Sequence, residues 1–178
     1  LKKFAEAKAD AELVPLTYVH NATYSAASPR RENLVQTQLY RGLYSSVDPS
    51  FRDLTVDGAA DTRVNVIDAG VNGQDGQTRI WRATKYPTID TPIPIASGDE
   101  AILLVAEADL DAGDVTGAVD AINALRAKAS LPTYAGGTAD EVKAQLIDER
   151  RRELFLEGQR INDIIRFNIP QSPEAGTP

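Results

Sequence analysis

The stretch Glu149–Phe167, ERRRELFLEGQRINDIIRF, sets nine formal charges among the apolar residues of a helical pattern. On a wheel of about 100° per residue, Val142, Leu146 and Leu156 define an apolar sector. Glu149, Glu153 and Glu157 fall inside that sector and Arg150 lies at its margin, so three carboxylates point toward a core. An inward carboxylate must be paired, because removing one partner of a buried ion pair costs about 3–5 kcal/mol. By spacing, the nearest partners lie in the same stretch. Arg150 is adjacent to Glu149 and three residues from Glu153; beyond the helix break at Gly158, Arg160 and Arg166 flank Asp163 so that one carboxylate can bridge both. A fold-back at Gly158 would also present Arg160 to the glutamates. Arg151 and Arg152 point elsewhere and are expected in water. The stretch therefore reads as a structural network of Glu149, Arg150, Glu153, Glu157, Arg160, Asp163 and Arg166.

Two functional readings of the same residues are weaker. A phosphate or nucleic-acid grip wants convergent, unneutralised arginines, and here acids and bases alternate in near balance. A glycosidase couple of Glu149 and Glu153 wants one carboxyl with a raised pKa, and the flanking arginines are expected to keep both ionised.

Upstream of this stretch the pattern is helical back to Ser97. Ser97 and Glu100 have capping-box spacing and open a helix through Ala112, with Gly113 placed to end it. A second helix spans roughly Val115–Ala129. A third opens at Thr138 and Glu141, another capping box, and is expected to reach about Glu157. A fourth, about Gln159–Phe167, carries Ile161, Ile164 and Ile165 on one face, and the tail PQSPEAGTP reads as frayed. Ile102–Ala129 has the pattern of a tetratricopeptide hairpin: Ala106 allows close approach, Gly113 turns the chain, and Ala118, Ile122 and Leu125 line the second helix.

The N-terminal half is less regular. Leu1–Val14 reads as a helix stopped by Pro15, and it matches the second helix of the same repeat, with Phe4 in the place of Val115 and Ala7 in that of Ala118. Its partner helix is then expected before Leu1, in a longer protein. From Leu16 to about Gly58 loops and short extended pieces are expected. RVNVID and TRIWRATK, on either side of turn-forming Asn72-Gly73 and Asp75-Gly76, predict a β-hairpin within Arg63–Lys85. YPTIDTPIPI is held extended by Pro87, Pro92 and Pro94.

Composition narrows the function classes. The chain has 178 residues and a net charge of −7, which disfavours phosphate backbones and anionic lipid surfaces. It has no cysteine and a single histidine, His20, so thiolate chemistry and a histidine metal cluster are excluded. Asp109, Asp111 and Asp114 resemble a calcium loop only in composition; the ligand spacing and closing glutamate are missing. DAGVNGQDG fails the same test, and its glycines serve turns. No cofactor, metal or catalytic residue is indicated, and no apolar run is long enough to span a bilayer.

The signature Glu149, Arg150, Glu153, Leu154, Glu157, Gly158, Arg160, Asp163, Arg166, preceded by PIPIASGDEAILLVAEADLDAGD and AVDAINALRAKA, resembles the C-terminal half of the SusD/RagB-like nutrient-uptake proteins. The resemblance is close over about Tyr86–Phe167 and loose elsewhere. It implies a mainly α fold: a SusD/RagB-like domain over residues 1–178 with a tetratricopeptide-type hairpin, a small β-hairpin, long ordered loops and its first helices upstream. It implies non-catalytic capture of glycans or similar nutrients on the extracellular face of the outer membrane, for a TonB-dependent, SusC-like transporter. Membrane contact would come only through a lipid anchor outside this chain. In the family the charged signature is scaffold, as the wheel suggests. A departure is Ile161-Asn162, where many relatives carry an aromatic residue.

A glycan site wants aromatic rings for the C–H faces of sugars and planar polar groups for their hydroxyls. Trp81 and Tyr86, near the hairpin, and Tyr24, Tyr40 and Tyr44, in the loop region with Asn21, Asn33, Gln36 and Gln38, are the candidate ligand-binding residues. For Trp81 the plainer reading is packing within the hairpin. A tetratricopeptide scaffold that binds a peptide is the alternative function, and an enzyme acting on glycans a further rival.

Overall fold

The computed structural model describes residues 3–170, which form a mainly helical fold with small strand pairs. Leu1, Lys2 and most of the tail read as frayed lie outside them. The scaffold is a helical layer. Helix α3 (Gly98–Ala112) and helix α4 (Val115–Lys128) form an antiparallel hairpin, and α5 (Ala139–Glu153) packs against both. Each helix starts where the sequence supplies an oxygen for its orphan N–H groups. Ser97 accepts from Glu100 N–H and Asp114 from Gly117 N–H, and Thr138 and Glu141 form a complete capping box. Gly113 ends α3 at φ 82°, a conformation that glycine adopts without a Cβ penalty.

Leu103, Ala106, Ala118, Ile122, Leu125, Val142, Leu146 and Leu154 make the core of this layer. Helix α1 (Phe4–Ala11), shorter than the expected Leu1–Val14, packs against α3. Leu13 is past its end and exposed. Gly98 permits the approach of the chain leaving α1, since a Cβ there would stand 2.3 Å from the Pro15 carbonyl oxygen.

The strands form three antiparallel pairs. β1 (Val19–Ala22) joins β6 (Ile93–Ser97), β2 (Thr55–Val56) joins β3 (Ala59–Ala60), and the expected hairpin is β4 (Val66–Asn72) with β5 (Arg79–Ala83). Between the first two pairs the loop region contains a helix that periodicity did not signal, α2 (Leu34–Tyr40), capped by the buried Asn33. A second core of Leu39, Val47, Val64, Ala83 and Phe155 fastens this half to the helices.

One boundary departs from expectation near Gly158. Helix α5 stops at Glu153, not at Glu157, because the chain tightens through Leu154 and takes φ 61° at Leu156, which swings Phe155 into the second core. Helix α6 (Arg160–Phe167) then turns Asp163 inward and leaves Ile161 and Ile165, on the expected isoleucine face, exposed. Among the described residues no helix is long and apolar enough to cross a membrane.

Candidate functional site

The charged stretch is closed by partners from distant parts of the chain. Glu149 is fully buried; its Oε1 accepts from Arg126 Nε at 2.6 Å and Gln145 Nε2 at 3.0 Å, and its Oε2 from Arg63 Nη1 at 2.7 Å. Arg63 Nη1 also donates to Glu153 at 3.1 Å, while Arg63 Nη2 donates to Asp61 at 2.7 Å. Lys85 donates to Glu157 at 2.7 Å. Arg150, expected beside Glu149 and Glu153, instead reaches across the Gly158 turn. Its Nε and Nη2 meet Asp163, which Arg166 approaches at 3.4 Å while also facing Glu107 at 3.0 Å. Arg160 meets no carboxylate within 4 Å among the described residues, so neither the Glu column nor Asp163 receives it.

Arg151 and Arg152 are not free in water. Both pair with Asp148; Arg152 also reaches Asp61, and Arg151 stacks 4.9 Å from the Phe51 ring centroid. The wheel identifies which α5 carboxylates turn inward. It carries no information about Arg63, Arg126 or Lys85, whose roles depend on how other elements dock.

Electrostatics divide the network. Burial favours protonation of Asp61, yet Arg63 and Arg152 overcome it and hold the carboxyl below its ordinary value. Burial likewise works against the Arg63 charge, and contact with Asp61 and Glu149 more than reverses the effect. Glu153 goes the other way: burial raises its pKa above the ordinary carboxyl value despite Arg63. The expectation that flanking arginines hold it firmly ionised is thus corrected, because desolvation outweighs a single shared guanidinium. Glu153 lines none of the three clefts described below.

The five aromatic candidates separate. Tyr86 is buried, 2% exposed, with its hydroxyl donating to the Leu156 carbonyl at 3.1 Å, so it offers no ring to a ligand. Its place is set by the α5–α6 turn, a long-range contact. Trp81 packs against the second core with the Arg52 guanidinium 4.8 Å over its ring. Tyr40 packs there too, its hydroxyl donating to the Ala83 carbonyl at 3.2 Å. The remaining two stand at separate clefts. Tyr24 lines one of about 360 Å³ with Thr23, Arg30, Arg31 and Glu32. Tyr44, 71% exposed, lines another of about 210 Å³ with Ser45, Ser46, Gln74, Asp75 and Thr78 over a floor of Leu43 and Ile80.

The Tyr44 cleft is built where the β4–β5 turn meets the segment after α2. Gln74 N–H donates to the Leu43 carbonyl at 3.2 Å, Gln74 Nε2 donates to the Gly42 carbonyl at 3.3 Å, and Ser46 Oγ both donates to the Arg79 carbonyl and accepts from Trp81 N–H. A Cβ at residue 42 would come within 2.7 Å of Tyr44 Cδ2, so Gly42 permits this ring position. Asp75 accepts from the N–H groups of Gln77 and Thr78 at 2.9 Å each. Those bonds, with the Thr78 hydroxyl foremost, lower its pKa and keep it anionic. Sequence reading assigned this loop to turns and passed over Ser46, Gln74, Asp75 and Thr78, which come together only through the contact with residues 42–46. A third cleft, of about 420 Å³, lies between the α5–α6 turn and Phe51.

The SusD family's sequence profile matches residues 100–175. The starch-binding protein SusD of Bacteroides thetaiotaomicron is 40% identical over 85 residues, 47% of this chain and 14% of that protein. A SusD-like protein of Formosa agariphila is 35% identical over 103 residues, 49% of this chain and 20% of that protein. The chain thus spans a fifth or less of these curated relatives. A SusD-like carbohydrate binding protein from Bacteroides vulgatus shares its fold over 93% of this chain and 42% of that one, with a TM-score of 0.67 at 22% identity. A SusD superfamily protein from Parabacteroides distasonis does so over 84% and 39%, with a TM-score of 0.60 at 14% identity. The C-terminal helices thus carry the sequence pattern of the SusD family over residues 100–175, and nearly the whole chain has the fold of SusD-like structures.

Proposed function

We propose that this chain is the carbohydrate-contacting portion of a non-catalytic nutrient-binding protein on the extracellular face of the outer membrane, held there by a lipid anchor and delivering oligosaccharide to a TonB-dependent, SusC-like transporter. In this reading residues 1–178 act as one SusD/RagB-like unit, and the charged network is scaffold.

The observation that carries the sugar reading is Tyr44, the most exposed aromatic residue among those described, standing over a cleft rimmed by hydroxyl, amide and carboxylate groups. An exposed ring can stack on the C–H face of a pyranose while Ser45, Gln74 and Asp75 meet its hydroxyls. Similarity to a starch-binding relative supports a neutral glycan, and the anionic Asp75 would repel an acidic one. Catalysis finds no support at Glu149 and Glu153, one of which is sealed by Arg63 and Arg126.

The test is calorimetric titration with a panel of neutral starch oligosaccharides and acidic oligosaccharides. Binding to at least one neutral glycan, reduced tenfold or more in Tyr44→Ala with an unchanged melting temperature, is expected. A protein that ignores every sugar yet binds peptides would be the tetratricopeptide scaffold instead. Release of shortened products, abolished by Glu153→Gln, would make it an enzyme.

A further inference from the structure

The third cleft holds the arginine charge that the network leaves uncompensated. Its walls are apolar, formed by Phe51, Leu154, Phe155 and Ile161, and its polar lining includes Arg150, Arg151, Arg160 and Asp163. Three arginines and one aspartate thus line it. Arg151 is satisfied by Asp148 and by the Ser50 carbonyl. Arg150 spends Nε and Nη2 on Asp163, and its Nη1 is buried with no hydrogen-bond partner among the described residues, on a side chain only 4% exposed. A buried donor left without an acceptor is destabilising.

Arg160 is the second open position. It meets no carboxylate within 4 Å among the described residues, and burial together with Arg151 works against its charge. It also begins α6, whose N-cap Gln159 provides no side-chain acceptor, so the first-turn N–H groups add positive potential to the same mouth. An anionic head group answers both Arg160 and the α6 N-terminus. The walls ask for something more, since a free phosphate or sulfate would leave Phe51, Phe155 and Ile161 facing water, and a sugar would find few hydroxyl partners there. The volume of about 420 Å³ is in the range of small-molecule sites.

We propose that this cleft is a second ligand site, separate from the Tyr44 cleft, for a small amphipathic carboxylate: its carboxylate on Arg160 at the start of α6, its hydrocarbon body against Phe51, Phe155 and Ile161. The site does not depend on the glycan reading.

Octanoate is a suitable probe on the whole chain, with octanol as the uncharged control and inorganic phosphate as the control without a hydrocarbon body, each followed by two-dimensional NMR. Octanoate should bind saturably and at least about tenfold more tightly than either control. Arg160→Gln should erase that preference and leave glycan titration unchanged. Ile161→Glu, at a position 53% exposed, should weaken octanoate by a similar factor without shifting the melting temperature. Octanol binding as well as octanoate would reduce the cleft to a nonspecific apolar surface, and phosphate binding as well would reduce it to a generic anion spot. Either result overturns the proposal, as does an unchanged octanoate affinity in Arg160→Gln. Should that variant fail to fold, Ile161→Glu with unaltered affinity overturns it equally.

Discussion

Glu149 and Asp75 are both carboxylates that accept three hydrogen bonds, yet the two halves of the molecule use them differently. Glu149 is fully buried, and its donors come from Arg63 and Arg126, 86 and 23 residues away, and from Gln145 one helical turn back. Asp75 is exposed, and its donors lie within three residues, on Gln77 and Thr78. The first arrangement ties three elements together and leaves nothing for a ligand. The second shapes one turn and leaves the surrounding cleft open. In the helical half polar chemistry holds the fold; in the loop half it shapes an open cleft.

The sharpest way to break this comparison is Glu149→Ala. Arg126 and Arg63 would lose their shared buried acceptor, a loss of about 3–5 kcal/mol. Against total stabilities of about 5–15 kcal/mol, that is severe, and denaturant unfolding should show either a large fall in midpoint or no folded baseline. A loss below about 1 kcal/mol would mean that water replaces the carboxylate and that the network is not structural.

Arg151→Ala comes next. From the wheel it should hardly matter, but its stacking on Phe51, its pairing with Asp148 and its bond to the Ser50 carbonyl predict a loss of about 1–2 kcal/mol. The same unfolding measurement checks it, and a wild-type midpoint would restore the solvated reading.

The contrast also explains what was legible in the sequence. Helical period is local, so α5 revealed which carboxylates face inward, and the capping residues Ser97 and Thr138 marked helix starts. The partners were not legible because they come from other elements: Arg63 lies just before β4 and Lys85 just after β5. The isoleucine face of α6 was legible, its direction was not: Arg150 draws Asp163 inward, and desolvating an unpaired Arg150 would cost more than exposing Ile161 and Ile165. Tyr86 looked like a ligand contact until the Leu156 carbonyl claimed its hydroxyl, and α2 escaped notice because seven residues hold barely two helical turns.

Asp75→Ala should sharpen the other side. Global melting should stay near that of the wild type, because every bond lost is exposed and local. Amide exchange at Gln77 and Thr78 should accelerate, and affinity for any glycan held in the Tyr44 cleft should fall. A global loss comparable to that of Glu149→Ala would erase the distinction between the halves.

The smallest effect expected is at Glu100, in the first turn of α3. Burial raises its pKa above the ordinary 4.5; Arg150 and Arg166 oppose the shift, while Glu157 and Asp163 add to it. A carboxyl raised in the folded state binds its proton more readily there than in the unfolded chain. Its favourable contribution is therefore complete below the unfolded value and is lost as pH rises through the folded one. At neutral pH the charge opposes folding, so Glu100→Gln should melt slightly above the wild type. That difference should shrink on acidification and vanish below 4.5, even as protonation of Asp61 weakens both proteins together. Melting temperatures of the pair between about pH 4 and pH 8 decide the matter. A gap that widens toward acid would place Glu100 among the carboxylates that the arginines hold ionised, beside Asp61.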